Sequence, residues 1–323
     1  MAEIENKTIA SIYEHYENVQ KDWRRPHLGA SLIGKKCPRA IWYSFRWCAA
    51  PEFPGRILRL FQTGNLEEHR LVKDLRDLGI VVYDRDPNNG ASQIHYEDPE
   101  CGGHFAGSLD GIGHGFRESS AWHVLEFKTS NAKGFAALKK NGVEKAKPEH
   151  YAQMQCYMHW SSLARAYYFS VCKDTDEIYG ERIRYDIDVA CALTENAKDI
   201  IFASEPPARL SVDGESYDCR YCAYKNICHG EQLPEVNCRT CAHATPVLTG
   251  NKGQWICARA ANGIIDLEKQ KRNDCMLHVY VPALIHADVS DADSAAGTVT
   301  YSDGTVNGPG ATSSLELRRR VSK

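Results

Sequence analysis

Cysteine spacing constrains this chain more than any other feature of its sequence. Of its thirteen cysteines, Cys219, Cys222 and Cys228 fall close together in CRYCAYKNIC. Three thiolates are too few for a closed four-ligand metal site, so a fourth ligand must come from elsewhere in the chain. The odd count, and a start without the pattern of a secretion signal, favour reduced thiols and metal ligands over disulfides.

A second group of cysteines follows directly. Cys238 and Cys241 form a Cys-x2-Cys pair, and Cys257 and Cys275 come later. This spacing resembles a zinc ribbon with an irregular second half. His243 and His278 are alternative ligands, and unligated thiols or another cluster are alternatives to zinc. The other cysteines show no ligand spacing and are predicted to be small buried hydrophobic side chains: Cys48, Cys101, Cys156, Cys172 and Cys191.

The composition is that of a soluble globular protein, with 43% hydrophobic and 25% charged residues. The sequence has no apolar run of about 18 residues, and it begins with the polar stretch MAEIENKTIASIYEHYENV. We therefore expect a cytoplasmic protein with no membrane span. The net charge of −3 conceals two basic stretches, residues 21–60 and 132–147, each of which is either a phosphate contact or a solvated face.

Hydrophobic periodicity predicts alternating helices and strands. Helices are expected over 4–20, from Pro38, and over 57–78, 149–163 and 190–204, with strands over 80–84, 92–96, 104–112, 122–130, 167–173 and 177–187. This order predicts an α/β fold with a mixed central sheet flanked by helices. The expected regions are a core (1–230), a C-terminal cysteine-rich metal-binding module (231–286) and a disordered tail rich in small and polar residues (287–323).

One predicted strand carries a charged pair that suits phosphodiester hydrolysis. In HVLEFKTS, strand alternation places Glu126 and Lys128 on one face and apolar residues on the other. The carboxylate could bind a divalent metal while the ammonium orients or activates water. Asp110, which ends the run FAGSLD, adds a second carboxylate, and convergent oxygen ligands suit Mg or Mn. Taken alone, the pair is also typical of a solvated face, and Asp110 of a turn.

Two helical pairs could complete this site. Gly64 and Glu68 are four residues apart in TGNLEEHRLVK and share a helix face. Glu68 could supply a third acid, with His69 as a rival ligand. Gln153 and Tyr157 share a face in YAQMQCYMHW and could hydrogen-bond the metal-site groups or a phosphate.

These motifs, in this order over residues 28–230, resemble the RecB-like branch of the PD-(D/E)XK nucleases, which includes phage recombination exonucleases, AddB nuclease domains and CRISPR adaptation nucleases. The resemblance implies a restriction-endonuclease-like core. The implied site residues are Glu68 or His69, Asp110 and Glu126 as Mg or Mn ligands, Lys128 as the catalytic lysine, and Gln153 and Tyr157 as supporting residues. The family often has His at the position of Glu68, whereas here the His is displaced by one.

The resemblance also implies a four-iron, four-sulfur cluster. One cysteine before the core and three after it would hold this cluster: Cys37, Cys219, Cys222 and Cys228. Zinc in the same four thiols is the alternative. The implied activity is that of a DNA exonuclease acting on duplex ends in recombination or repair, with a single-strand annealing protein or a helicase as partner. The alternatives are an endonuclease, a CRISPR-adaptation type of end trimmer, and a nucleic-acid-binding protein with an inactive site.

Overall fold

The computed structural model describes residues 6–19, 22 and 24–321. Its helices are α1 (Lys7–Asn18), α2 (Ala30–Ile33), α3 (Pro38–Phe45), α4 (Gly55–Asp77), α5 (Ala132–Ala146), α6 (Pro148–Ser161), α7 (Ile187–Phe202), α8 (Lys225–Cys228), α9 (Leu267–Gln270) and α10 (Ser314–Val321). Its strands are β1 (Leu28–Gly29), β2 (Val81–Tyr83), β3 (His95–Glu97), β4 (Phe105–Ser108), β5 (Gly111–His114), β6 (His123–Ser130), β7 (Arg165–Cys172), β8 (Ile178–Arg184), β9 (Ala244–Pro246), β10 (Trp255–Cys257), β11 (Ile264–Ile265), β12 (Val289–Asp293), β13 (Thr298–Tyr301) and β14 (Val306–Asn307).

The chain forms two compact units. The first consists of Met1–Trp23, Pro51–Tyr96 and Gly107–Ala190, and the second of Arg24–Ala50, Glu97–Ala106 and Cys191–Lys323. The predicted boundary at residue 230 does not coincide with this division. Residues 24–50 belong with the cysteine-rich region because Arg46 Nη1 donates to the carbonyl of Arg239 at 3.0 Å, and the Glu235 amide donates to the carbonyl of Cys48 at 2.8 Å.

A five-stranded mixed sheet forms the centre of the first unit, in the order β2-β5-β6-β7-β8. β6 and β7 are parallel, and the other neighbours are antiparallel. On one face, Leu125 and Phe127 of β6 join Leu71 and Leu75 of α4 in a buried apolar cluster. Helices α5 and α6 contact β6 and β7, with His150 of α6 bonded to the opposite face. The predicted mixed sheet flanked by helices is confirmed.

Several predicted elements need adjustment. The predicted helix over 57–78 is observed as α4, and the one over 4–20 as α1, with residues 4, 5 and 20 outside the described residues. The single strand predicted over 104–112 is wrong, because Leu109 and Asp110 separate β4 from β5. The two strands join different partners, since β4 pairs with β1 and β5 pairs with β6. The basic stretch over 132–147 forms α5, whose first turn is capped by Asn131.

The second unit contains short sheets around a core of aromatic rings and buried arginines. β10 lies between β9 and β11, and β13 lies between β12 and β14, all antiparallel. The Arg239 guanidinium lies 3.7 Å from the ring centroid of Trp47 and donates to the carbonyls of Phe45 and Pro26. Arg239 is 1% exposed, so these carbonyl and ring contacts replace the water that a guanidinium would otherwise bind.

The prediction of a disordered tail over 287–323 is wrong for residues 287–321, which form β12, β13, β14 and α10. Order here depends on buried polar groups that composition does not reveal. Asn307 is fully buried; its Oδ1 accepts from the Tyr280 amide at 2.9 Å, and its Nδ2 donates to Ser314 Oγ at 2.9 Å. Val299 and Tyr301 add a small apolar cluster with Val279.

Within the described part of the chain, every helix is too short or too polar to cross a lipid bilayer. The expectation for the cysteines without ligand spacing holds for four of them and is wrong for one. Cys48, Cys101, Cys156 and Cys172 are buried, whereas Cys191 is exposed.

Candidate active site

The β5–β6 pair brings Asp110 to the charged residues of β6. Asp110 directly precedes β5, whose Gly111 lies opposite Leu125 of β6. In this register the Asp110 carboxylate reaches the β6 backbone, where Oδ2 accepts from the amide of Phe127 at 2.8 Å. Phe127 lies between Glu126 and Lys128, so a single hydrogen bond fixes the predicted acid beside both.

Lys128 lies between the two carboxylates. Its ammonium donates to Oε1 of Glu126 and lies 3.7 Å from Oδ2 of Asp110. Glu126 is fully buried, whereas the Lys128 side chain remains 27% exposed. Oε2 of Glu126 is also buried and has no hydrogen-bond partner among the described residues. The structure therefore brings together the three residues that the sequence singles out most strongly.

Burial and charge both act on this group. Burial raises the pKa of Glu126, and the nearby carboxylates of Asp110 and Glu68 raise it further against the opposing effect of Lys128. Burial disfavours the ammonium of Lys128, but the adjacent carboxylates outweigh it and raise the pKa of Lys128. Lys128 therefore retains its proton, whereas the buried Glu126 carboxyl carries its negative charge less readily than an exposed one would.

Glu68 and His69 are the alternative metal ligands from α4. Of these two, Glu68 lies closer to the charged group of Asp110, Glu126 and Lys128. Burial and the charge of Asp110 raise the pKa of Glu68, and Gln93 Nε2 donates to Glu68 Oε1 at 3.3 Å. His69 is exposed, and its Nδ1 lies 2.6 Å from the carbonyl oxygen of Asn65 in the preceding turn. The structure thus places Glu68, rather than His69, with the other carboxylates.

Gln153 and Tyr157 support the segment that leads into Asp110. The Tyr157 hydroxyl donates to the carbonyl of Ser108 at 2.8 Å and accepts from Gln153 Nε2 at 3.2 Å. Burial raises the pKa of Tyr157, so its hydroxyl remains a donor. These two residues hold the backbone close to Asp110.

Sequence reasoning missed Gly107, which makes this contact possible. A Cβ at Gly107 would lie 2.6 Å from Cε1 and 2.8 Å from the hydroxyl of Tyr157. A glycine inside a strand indicates close approach of another group, so the Gly of FAGSLD carried the signal.

Sequence reasoning also missed His150 and Gln93. His150 Nδ1 lies 3.0 Å from the hydroxyl of Tyr168, which pairs in register with Glu126. Burial and the charge of Lys128 lower the pKa of His150 to about 3, so the ring is neutral. No sequence spacing links these residues to the acids, because only the tertiary fold makes them neighbours.

The first cysteine group meets in the second unit. Cys37, Cys219, Cys222 and Cys228 line one cavity of about 30 Å³, together with Tyr43 and Tyr224. Burial raises the pKa of Cys222, and the three neighbouring thiols add to that effect. Cys37, which directly precedes α3, is therefore the fourth thiol in the wall of this cavity.

The second cysteine group lines a cavity of about 230 Å³: Cys238, Cys241, Cys257 and Cys275, with His243 and His278 also in its wall. Both ring nitrogens of His278 are engaged, Nδ1 at 2.8 Å from Ser314 Oγ and Nε2 at 3.1 Å from the carbonyl oxygen of Asn237. His278 therefore serves as a structural hydrogen-bonding group rather than as a ligand. Across residues 6–19, 22 and 24–321, no three His, Cys, Asp or Glu side chains are arranged, as they stand, to hold a metal ion.

No family model matches this sequence, and no curated protein matches it. Among solved structures, the alkaline exonuclease LHK-Exo from Laribacter hongkongensis has 18% identity and a TM-score of 0.39, covering 58% of this chain and 90% of its own. LHK-Exo in complex with dAMP has 16% identity, the same coverage and a TM-score of 0.39. SSO0001 has 18% identity and a TM-score of 0.38, covering 68% of this chain and 93% of its own. At these TM-scores the similarities carry no conclusion about this chain.

Proposed function

We propose that this protein is a metal-dependent deoxyribonuclease that hydrolyses phosphodiester bonds at Asp110, Glu126 and Lys128. The observation that carries this proposal is the convergence of both carboxylates on the Lys128 ammonium, with distances and partners fixed by the β5–β6 pair. Bringing charged side chains together in a partly buried part of a sheet costs free energy, so such groups are found preferentially where a reaction uses them. Two carboxylates and a lysine supply metal ligands and a proton donor, which phosphodiester hydrolysis can use.

Mg or Mn fits this donor set. Hard divalent cations take carboxylate oxygens, and Oε2 of Glu126 is a buried oxygen without a partner among the described residues. Asp110, Glu126 and Glu68 would hold the ion once their side chains turn towards a common point, since they are not grouped around one as they stand. When bound, such an ion stabilises charge on the phosphate and lowers the pKa of a bound water.

The remaining roles belong to residues of this chain. Lys128 keeps a proton at Nζ, 27% exposed, where it can donate to a phosphate oxygen or orient the attacking water. Tyr157 and Gln153 fix the carbonyl of Ser108, and through it the position of Asp110. We extend the proposal to an exonuclease acting on duplex ends in recombination or repair, alongside an annealing protein or a helicase. The motif order of the sequence supports this extension.

Digestion of linear and closed circular duplexes with Mn tests the proposal. We expect loss of the linear DNA only, and an activity about a thousandfold lower in Lys128→Ala with DNA binding retained. Lys73→Ala is the matched control, since Lys73 forms an exposed ion pair with Asp77 on α4. Rapid loss of the circle would favour an endonuclease. Equal hydrolysis by wild type and Lys128→Ala would refute the site.

A nucleic-acid-binding protein without hydrolytic activity is the second candidate. The exposed end of α10 favours it, because Arg319 and Arg320 stand together in its last turn. DNA binding without any metal-dependent cleavage by the wild type would select this candidate.

We also propose a four-iron, four-sulfur cluster at Cys37, Cys219, Cys222 and Cys228, and zinc at Cys238, Cys241, Cys257 and Cys275. Each quartet lines a single cavity, and four thiols around one cavity suit a shared metal site. Iron, sulfide and zinc analysis of purified protein tests both sites. We expect Cys222→Ala to lose the iron and its visible absorbance, and Cys238→Ala to lose only the zinc. Iron-free protein containing two zinc ions would contradict the cluster.

A further inference from the structure

Two exposed aromatic rings and a half-buried histidine form a cluster on the sheet of the first unit. Tyr83 and Trp122 are stacked, with ring centroids 5.9 Å apart and an interplanar angle of 19°. The His114 ring contacts Trp122 at a centroid distance of 4.2 Å. Tyr83 is 45% exposed and Trp122 is 39% exposed. We call Tyr83, His114 and Trp122 the aromatic platform.

The aromatic platform lies on the face of the sheet that carries the candidate active site. Tyr83 lies opposite Ile112, and Ile112 lies opposite Val124. Directly opposed residues of antiparallel strands share a face, and residues two apart in one strand do so as well. Val124 and Glu126 are two apart in β6, so Tyr83 and Glu126 point to the same side.

This face is covered at one end and open at the other. Helices α5 and α6 contact β6 and β7, and α5 also contacts β8. At β2, by contrast, Val81 and Tyr83 are exposed, at 39% and 45%. Stacked rings left in water at the open end of a catalytic face mark a binding surface rather than a core.

The charge and spacing around the aromatic platform fit a nucleic-acid strand. Trp122 and Glu126 are four residues apart along a strand, which is about 13 Å, or about four nucleotides at the spacing of a stacked strand. Arg85 follows Tyr83 by two residues and is close enough to Glu68 to lower its pKa. Its side chain is 40% exposed and its Nε lies 4.0 Å from Oδ2 of Asp84, a loose ion pair that a phosphate could replace.

We propose that the aromatic platform stacks an unpaired nucleobase of the substrate strand while a phosphate about four nucleotides away lies at Glu126 and Lys128. This inference rests on the proposed function, since it places the same DNA strand in the same site. It favours duplex ends that are frayed or carry a single-stranded extension, because a paired base must first unpair and unstack to reach the rings. Stacking is tolerant of sequence, as every base has a flat π face.

Fluorescence anisotropy with a labelled single-stranded oligonucleotide in EDTA tests the platform without hydrolysis. We expect Trp122→Ala to weaken binding about tenfold and Trp122→Phe to retain most of the affinity. Ile178→Ala is the control, since Ile178 is 56% exposed on the opposite edge strand, β8, and should bind like the wild type. If circular dichroism shows that Trp122→Ala does not fold, the binding of Tyr83→Ala tests the aromatic platform instead.

Abasic oligonucleotides locate the stacked base. A single abasic nucleotide is moved along the strand, and the wild type should lose affinity at one position. In Trp122→Ala that same position should cause no further loss, because base and ring contribute to one interaction. Unchanged binding by both Trp122→Ala and Tyr83→Ala, or an equal abasic effect in wild type and Trp122→Ala, would overturn the platform.

The two proposals fail in different ways. Platform-dependent binding without cleavage in Mn would overturn the nuclease and leave the platform standing. If the protein cleaves DNA but the Trp122 and Tyr83 variants bind DNA like the wild type, only the proposal of the aromatic platform is overturned. If Trp122→Ala instead converts a dimer into a monomer with unchanged DNA binding, the platform holds a second copy of the chain, and the nucleobase is excluded.

Discussion

Among single residues, Glu126 combines complete burial with a charged side chain. A carboxylate taken out of water costs several kcal/mol unless hydrogen bonds and opposite charge compensate. Lys128 compensates one oxygen, and the second, Oε2, has no partner among the described residues. A buried oxygen without a hydrogen-bond partner is a favourable ligand for a cation. In this respect the pair of Glu126 and Lys128 differs from an ordinary surface ion pair.

The buried residue His104 leads to a prediction about how folding stability depends on pH. It is fully buried, and burial together with the charge of nearby Arg239 lowers the pKa of His104 to about 4. The unfolded chain, with its ordinary histidine pKa near 6.5, binds more protons between pH 4 and 6.5, so stability falls as pH falls through that window. We expect this one residue to remove about 2 kcal/mol between pH 7 and pH 5.

Urea unfolding of wild type and His104→Asn at both pH values measures this contribution. The variant lacks the titrating ring, so its stability should drop by about 2 kcal/mol less than that of the wild type. Identical drops for the two proteins would show that His104 does not remain neutral in the folded state.

For the helices and strands, hydrophobic periodicity predicted some features and missed others. Periodicity predicted α4 and β6, because each buries one face against the same apolar cluster. It missed the break at Asp110, since that break depends on a hydrogen bond to Phe127, 17 residues later. Sequence spacing also could not decide whether Glu68 or His69 is the ligand, because the choice depends on which face of α4 points towards the sheet.

The contact between β4 and α6 yields a second prediction. Gly107→Ala would drive its methyl group into the Tyr157 ring and displace the hydroxyl that holds Ser108. We expect Gly107→Ala and Tyr157→Phe each to lower kcat about tenfold or more, with a smaller change in DNA affinity. Tyr217→Phe is the matched control, since Tyr217 is 76% exposed and belongs to the second unit. Normal kcat in Gly107→Ala would contradict the positioning role.

Across the whole molecule, long-range polar contacts decide which segments fold together. The tail was predicted to be disordered because composition counts apolar residues, whereas its order depends on Asn307, Ser314 and their partners. The grouping of the cysteines was easier to predict, since their spacing is visible in the chain and each group lines one cavity. The boundary at 230 could not anticipate the division into two compact units, because residues 45–48 bond to residues 235–239 across a long stretch of sequence.

Asn307 tests this view of the second unit. Asn307→Ala leaves the buried amide of Tyr280 without its acceptor, and we expect a loss of about 1–3 kcal/mol in the free energy of unfolding. Asp288→Ala, at an exposed position in the same segment, should change stability by less than about 0.5 kcal/mol. Equal stability of the two variants, measured by urea unfolding, would mean that residues 287–321 add little to the fold.

The proposed chemistry requires Asp110 and Glu126 to share one divalent ion. Isothermal titration of Mn into wild type, Asp110→Asn and Glu126→Gln tests it directly, with Asp77→Asn as the control because Asp77 is an exposed acid on α4. We predict that both site variants bind Mn at least about tenfold more weakly and that the control binds normally. If Asp110→Asn and Glu126→Gln both bind Mn with wild-type affinity, the two carboxylates do not hold the ion.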